Sequence, residues 1–114
     1  MTVSYRLRKA SEIMLERGLM RGQLWHSFGK AGPVCLKGAI LVAYEGRYNS
    51  EAARALAVVD ATVVRLGLPH AMRRDGYGLR HNPSIQWSND WAKDADEVAH
   101  ILKLAAEDAE LQGV

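Results

Sequence analysis

Four features of this chain have residue types that do chemistry: one cysteine, four histidines, a basic stretch and a tryptophan box. Cys35 lies near the start of an apolar segment, and a thiol at a helix N-terminus is a common setting for a nucleophile because the thiolate is stabilised there. His26, His70, His81 and His100 are the available bases, but none stands at a spacing tied to a Cys-His pair. The residues around Cys35 read as core, so a buried, inert thiol is expected. Metal binding needs three or four converging ligands, and the chain has no HxxxH, CxxC or HExxH. Asp94, Asp96 and Glu97 lack the alternation and central glycine of a calcium loop, and suit the positive end of a helix dipole instead. GYG at 76–78 is neither a dinucleotide fingerprint nor a P-loop. The expectation is a non-enzymatic chain with no catalytic, metal or cofactor residue and no cofactor.

Two features point to binding. Arg65, His70, Arg73, Arg74, Arg80 and His81, with Tyr77 among them, combine positive charge with an aromatic ring. That composition serves phosphate contacts and base stacking, and it equally describes a solvated loop facing an acidic helix. No helix-turn-helix signature accompanies it, and the formal net charge is only +2. The other feature is SIQWSNDW, residues 84–91. Trp87, Asn89 and Asp90 can form a recognition surface, since exposed tryptophan is a frequent anchor. The expected alternative is that Trp87 packs into the core while Asn89 and Asp90 form a turn by bonding nearby backbone. Trp91 is the better candidate for exposure. Trp25, Arg73, Arg74, Tyr77 and Trp91 make the expected partner-binding set, and Trp87, Asn89, Asp90, Asp94 and Glu97 a structural box.

The elements that must position these residues read as helices. Over SYRLRKASEIMLERG, Leu7, Ala10, Ile13, Met14 and, less centrally, Leu15 share a face, with Ser4 as N-cap and Gly18 as stop. Residues 19–32 read as a loop. Pro33 suits the first turn of a second helix, VCLKGAILVAYEG, which is apolar nearly all round and therefore expected to be the most buried. Gly38 inside it costs about 1 kcal/mol against alanine, offset by close approach of a neighbour. A third helix runs from Ser50 to Gly67 on Ala52, Leu56, Val59, Val63 and Leu66, broadened by Val58, Thr62 and Val64. Residues 68–92 form a long connection, in which GYGLRHNPSIQW is too short a pattern to assign as a strand. Asp94 with Glu97 three residues on forms a capping box for the last helix, carried by Val98, Ile101, Leu102, Ala105 and Ala109. The fold class is all-α: a compact bundle of about four helices with a long irregular loop before the last.

A chain of 114 residues fits one domain, 1–114, whose core can stand without a disulfide, and a lone cysteine agrees with a reducing cytoplasm. No signal peptide is evident at the N-terminus. The longest apolar run, residues 34–44, carries Lys37 and is far short of the roughly 20 residues of a membrane span. Charge is uneven: residues 1–82 hold 13 Lys/Arg against 6 Asp/Glu, and residues 83–114 hold 2 against 7. Either the basic part meets an acidic partner, or the two parts face each other in the fold.

Three stretches together resemble a family of small helical domains of unknown function from actinobacteria and their bacteriophages. They are LRKASEIMLERGLM, the cysteine-led VCLKGAILVA, and QWSNDWAKDADEV, where a W-N-D box precedes a capped helix with an E-V pair. Leu19 stands where that family often has tryptophan, Ser88 splits the usual Trp-Asn pair, and Asp94 replaces a threonine or serine cap. The resemblance implies a fold and an origin and brings no activity. The functional expectation is a cytoplasmic protein-binding domain, phage-encoded or actinobacterial, acting on a host factor or on a second copy of itself. The alternative is a nucleic-acid-binding accessory protein using the loop 65–81.

Overall fold

The computed structural model describes residues 1–21, 32–70, 73–75, 78–80 and 82–114, the two three-residue stretches as backbone only. Helix α1, Val3–Arg17, starts two residues earlier than a Ser4 cap would place it. Thr2 is the cap, its hydroxyl accepting from the Tyr5 N–H at 3.1 Å, and Ser4 lies buried inside the first turn with its hydroxyl 3.0 Å from that of Thr2. Leu7, Ala10, Ile13 and Met14 are buried, while Leu15 falls off the stripe and is 56% exposed. Gly18, at φ 86°, ends the helix with its N–H on the Met14 carbonyl, a backbone geometry that glycine adopts without strain.

The next described elements depart from expectation at their start. Leu19 and Val34 form an isolated parallel bridge, with Met20 N–H on the Val34 carbonyl at 2.8 Å and Val34 N–H on the Gly18 carbonyl at 3.0 Å. This extended pairing keeps Pro33 outside the helix. Helix α2, Leu36–Ala43, therefore begins three residues later, with Cys35 as its N-cap. It is buried on almost every side, through Leu36, Gly38, Ala39, Ile40, Leu41 and Ala43. Helix α3, Ser50–Arg65, is capped by the Asn49 side chain on the Ala52 N–H at 2.9 Å and ends at Leu66 and Gly67. Its buried stripe includes Ala52, Leu56, Val59 and Val63, while Leu66 is 38% exposed.

The connection before the last helix is not irregular throughout. Strands β1, Arg73–Asp75, and β2, Gly78–Arg80, pair antiparallel, and helix α4, Pro83–Asp90, follows. The described residues thus hold five helices rather than four. Pro83 opens α4 at a position where its missing N–H costs nothing. Helix α5, Ala95–Leu111, buries Val98, Ala99, Ile101, Leu102, Ala105, Ala106 and Ala109. The fold is all-α apart from the hairpin.

Helices α1 and α5 form the most extensive pair, and α3 packs on α5, α1, α2 and α4. Side chains from all five helices join one apolar cluster. A buried hydrogen bond stitches the main pair, from the Ser11 hydroxyl to the Ala99 carbonyl at 2.8 Å, and contributes about 1 kcal/mol. Two ion pairs bring the basic part of the chain onto the acidic last helix: Arg8 with Glu110 at 2.6 Å and Arg65 with Asp108 at 3.0 Å. Asp108 also accepts from the Thr62 hydroxyl at 2.7 Å. The two charge blocks therefore face each other in part. Exposed pairs of this kind contribute under about 1 kcal/mol each, so they orient α5 more than they stabilise it. No helix among the described residues is long and apolar enough to cross a membrane.

Candidate functional site

The tryptophan box is a helix followed by an elbow. Trp87 is 1% exposed and Ser84 and Ser88 are fully buried, so one side of α4 is sunk into the core. Asn89 and Asp90 are not the turn; they close the last turn of α4, and the chain changes direction at 91–93. The Trp87 carbonyl accepts from both the Trp91 and the Ala92 N–H, at 2.9 and 2.8 Å. This doubled acceptance ends the helix and leaves the Trp91 side chain 45% exposed.

Both ends of α4 are tied by residues distant in sequence. At the N-terminus the Asn82 cap makes no side-chain bond. Asp60 of α3 supplies it instead: one carboxylate oxygen accepts from the Ser84 N–H at 3.0 Å and from the Ser84 hydroxyl at 2.5 Å. A carboxylate there also meets the positive end of the helix dipole. At the C-terminus the Arg21 guanidinium donates to the carbonyls of Ser88 and Asn89, at 3.2 and 3.3 Å, and of Ala92 and Lys93, at 2.5 and 3.3 Å. The last carbonyls of a helix have no partner within it, and a guanidinium is the cation whose fork can serve several of them. Asp60 appears in the sequence only as a polar residue off a helical stripe, and Arg21 only as one more basic residue; neither has a local signal.

Beyond the elbow, Asp94 accepts from the Glu97 N–H at 2.9 Å, and the Glu97 carboxylate reaches back to the Lys93 N–H at 3.0 Å. The reciprocal bond lands one residue before the cap. These two acidic side chains are engaged by backbone donors. Among the described residues no three His, Cys, Asp or Glu side chains are grouped as metal ligands.

Cys35 is 3% exposed, and its sulfur accepts from the Gly38 N–H at 3.2 Å. Burial pushes the thiol pKa up, against the lowering effect of the backbone N–H groups and of Lys37. It is a helix cap made of sulfur, without the activation a nucleophile requires. His70 holds Nδ1 2.9 Å from the Leu68 carbonyl, and His100 is exposed on α5. His26 and His81 lie outside the described residues, as do Trp25 and Tyr77.

The basic stretch divides. Arg65 belongs to the last turn of α3 and is committed to Asp108. Arg73 and Arg74 lie on β1, and the register sets Arg73 opposite Arg80 and Arg74 opposite Leu79. The hairpin leaves α3 and returns to α4, whose entry is clamped to α3 by Asp60 and Ser84.

A model described as a family of unknown function, DUF6197, matches residues 1–108. The chain belongs to that family. The match takes in all of α1 to α4 and α5 as far as Asp108, so the DUF6197 region contains both ties of α4 and the Asp108 anchor of α5. No curated protein and no solved structure matches the chain. DUF6197 carries no assigned activity, and the site has to be read from its geometry.

Proposed function

We propose that this protein is a cytoplasmic accessory protein, of an actinobacterium or its phage, that works without catalysis by binding another protein. The partner is a host factor or a second copy of the chain. One observation carries this reading: Trp91 is 45% exposed at the end of a helix tied at both of its termini, by Asp60 at the first and by Arg21 at the last. A large aromatic held on a rigid support loses little conformational freedom on binding, which is what makes tryptophan a recurrent anchor of protein interfaces. The test is affinity capture from the native cell with nuclease controls, comparing wild type with Trp91→Ala, together with sedimentation of both proteins. Loss of a nuclease-resistant partner, or of self-association, on Trp91→Ala supports the reading. Identical capture and sedimentation by the two proteins overturns it.

Nucleic-acid binding is a second reading with its own observation, the facing positions of Arg73 and Arg80 on a two-stranded ribbon. The major groove admits a two-stranded ribbon, and arginine pairs readily with phosphate. Binding to DNA or RNA should then weaken steeply between low and moderate salt, and Arg73→Ala with Arg74→Ala should reduce it. An unchanged affinity in that double variant sinks the second reading.

A further inference from the structure

Away from the elbow, a groove of about 300 Å³ lies between α1 and the C-terminal end of α2. Tyr5, Lys9 and Ile13 line it from α1, and Val42 and Glu45 from the end of α2 and the turn after it. Arg6 is committed within the subunit: its Nη1 donates to the Ala43 carbonyl at 2.6 Å, its guanidinium lies 5.2 Å from the centre of the Tyr44 ring, and its Nε is buried. The exposed charges of the groove are therefore Lys9 on one wall and Glu45 on the other. They do not pair with each other, and Glu45 enters no ion pair among the described residues. Lys9 pairs there with Glu12 alone, at 3.6 Å and exposed on both sides, a contact of little worth.

Glu45 holds its place against the backbone's preference. The Glu45 and Gly46 N–H groups close the end of α2 on the Val42 and Leu41 carbonyls, at 3.0 and 2.8 Å, and Glu45 takes the left-handed position of that terminus at φ 57°. Glycine is the usual residue there, because a side chain strains the conformation. Retained strain points to a side chain with a task. Glycine would relieve it and delete the one carboxylate among the described residues that line the groove. A groove with a cation on one wall and an anion on the other is complementary to itself. A two-fold axis through it sets Lys9 of each copy against Glu45 of the other, so one patch makes two opposite-charge contacts. A partner of a single sign would satisfy one wall and meet like charge on the other. Tyr5, 48% exposed, and the half-buried Val42 add apolar surface beside the charges, and tyrosine is enriched at interfaces.

We propose that this groove is the contact of a two-fold dimer, with Lys9 of each copy paired to Glu45 of the other. The test is sedimentation equilibrium over a broad concentration range, on wild type, Lys9→Glu, Glu45→Lys, an equal mixture of those two variants, and Trp91→Ala. Wild type should self-associate. Each reversal should weaken this about tenfold or more, because both contacts turn repulsive. The mixture should restore it, because one copy of each variant again sets opposite charges against each other at both contacts. If a reversal does not fold, Lys9→Gln and Glu45→Gln read the same contact and should each weaken the dimer. A wild type monomeric at every concentration, folded variants that associate like wild type, or a mixture no tighter than its components would overturn the proposal. So would self-association lost in Trp91→Ala and kept in both reversals, which would put the second copy at the elbow and leave the Trp91 reading standing.

Discussion

Helices α4 and α5 meet at the elbow, and each is held by a different kind of force. All seven buried residues of α5 are apolar, and its cap, Asp94, lies immediately before it. Of the five buried residues of α4, three are Ser84, Gln86 and Ser88, and its ends are tied by Asp60 and Arg21, which come from elsewhere in the chain. Burial of an apolar stripe rewards a helix along its whole length. Polar ties act at points, and each must be geometrically complete, because a buried donor left without its acceptor costs more than a typical bond gains. The lesson is that α5 tolerates local damage, whereas α4 depends on a few long-range bonds. That dependence lets a small polar helix present Trp91 in a fixed place.

The largest effect should come from Trp87, the side chain of α4 buried within the apolar core. Trp87→Ala should cost about 3–5 kcal/mol in chemical unfolding, since the side chain is 1% exposed and its removal leaves a cavity. A loss below 1 kcal/mol would mean that α4 is not seated in the core at all. The two caps come next. Asp60→Ala removes the acceptor of both Ser84 donors and should cost about 1–3 kcal/mol. Asp94→Ala removes a cap at an exposed position and should cost only about 1 kcal/mol. Equal losses in that pair would erase the distinction between a distant tie and a local cap.

Tyr44 gives a pH-dependent counterpart in the α1–α2 region, far from the elbow in sequence. Its pKa is raised to about 12 from an ordinary 10, first by burial and then by Glu51. The unfolded chain therefore loses this proton before the folded one does. The associated stability is present in full below pH 10 and is lost as pH rises toward 12. Unfolding curves of wild type and Tyr44→Phe between pH 9 and 12 check this; the variant should fall less steeply. Parallel curves would show that Tyr44 titrates normally.

This contrast also explains what could be read from the sequence. Helices α1, α3 and α5 announce themselves through apolar residues at helical spacing, and their ends through Gly18, Gly67 and Asp94. The starts of α1 and α2 are less legible: Thr2 caps α1 where the sequence points to Ser4, and Cys35 caps α2 where it puts Pro33 in the first turn, because the choice depends on a buried Ser4 and on the bridge between Leu19 and Val34. Helix α4 had no legible stripe. PSIQWSND buries small polar residues, so periodicity reads it as loop, and the bonds that make this burial tolerable come from Asp60 and Arg21. Trp87 and Trp91 were separable by their order in the box, but only the fold shows that their helix is anchored at both ends.

The central claim is that distant polar ties fix α4 and so hold Trp91 in place. Amide hydrogen exchange on wild type and Asp60→Ala tests it most directly. The account predicts that amides of α4, residues 83–90, lose protection in the variant while those of α1 and α5 keep theirs. Protection unchanged in α4, or lost equally across α1, α4 and α5, would contradict it.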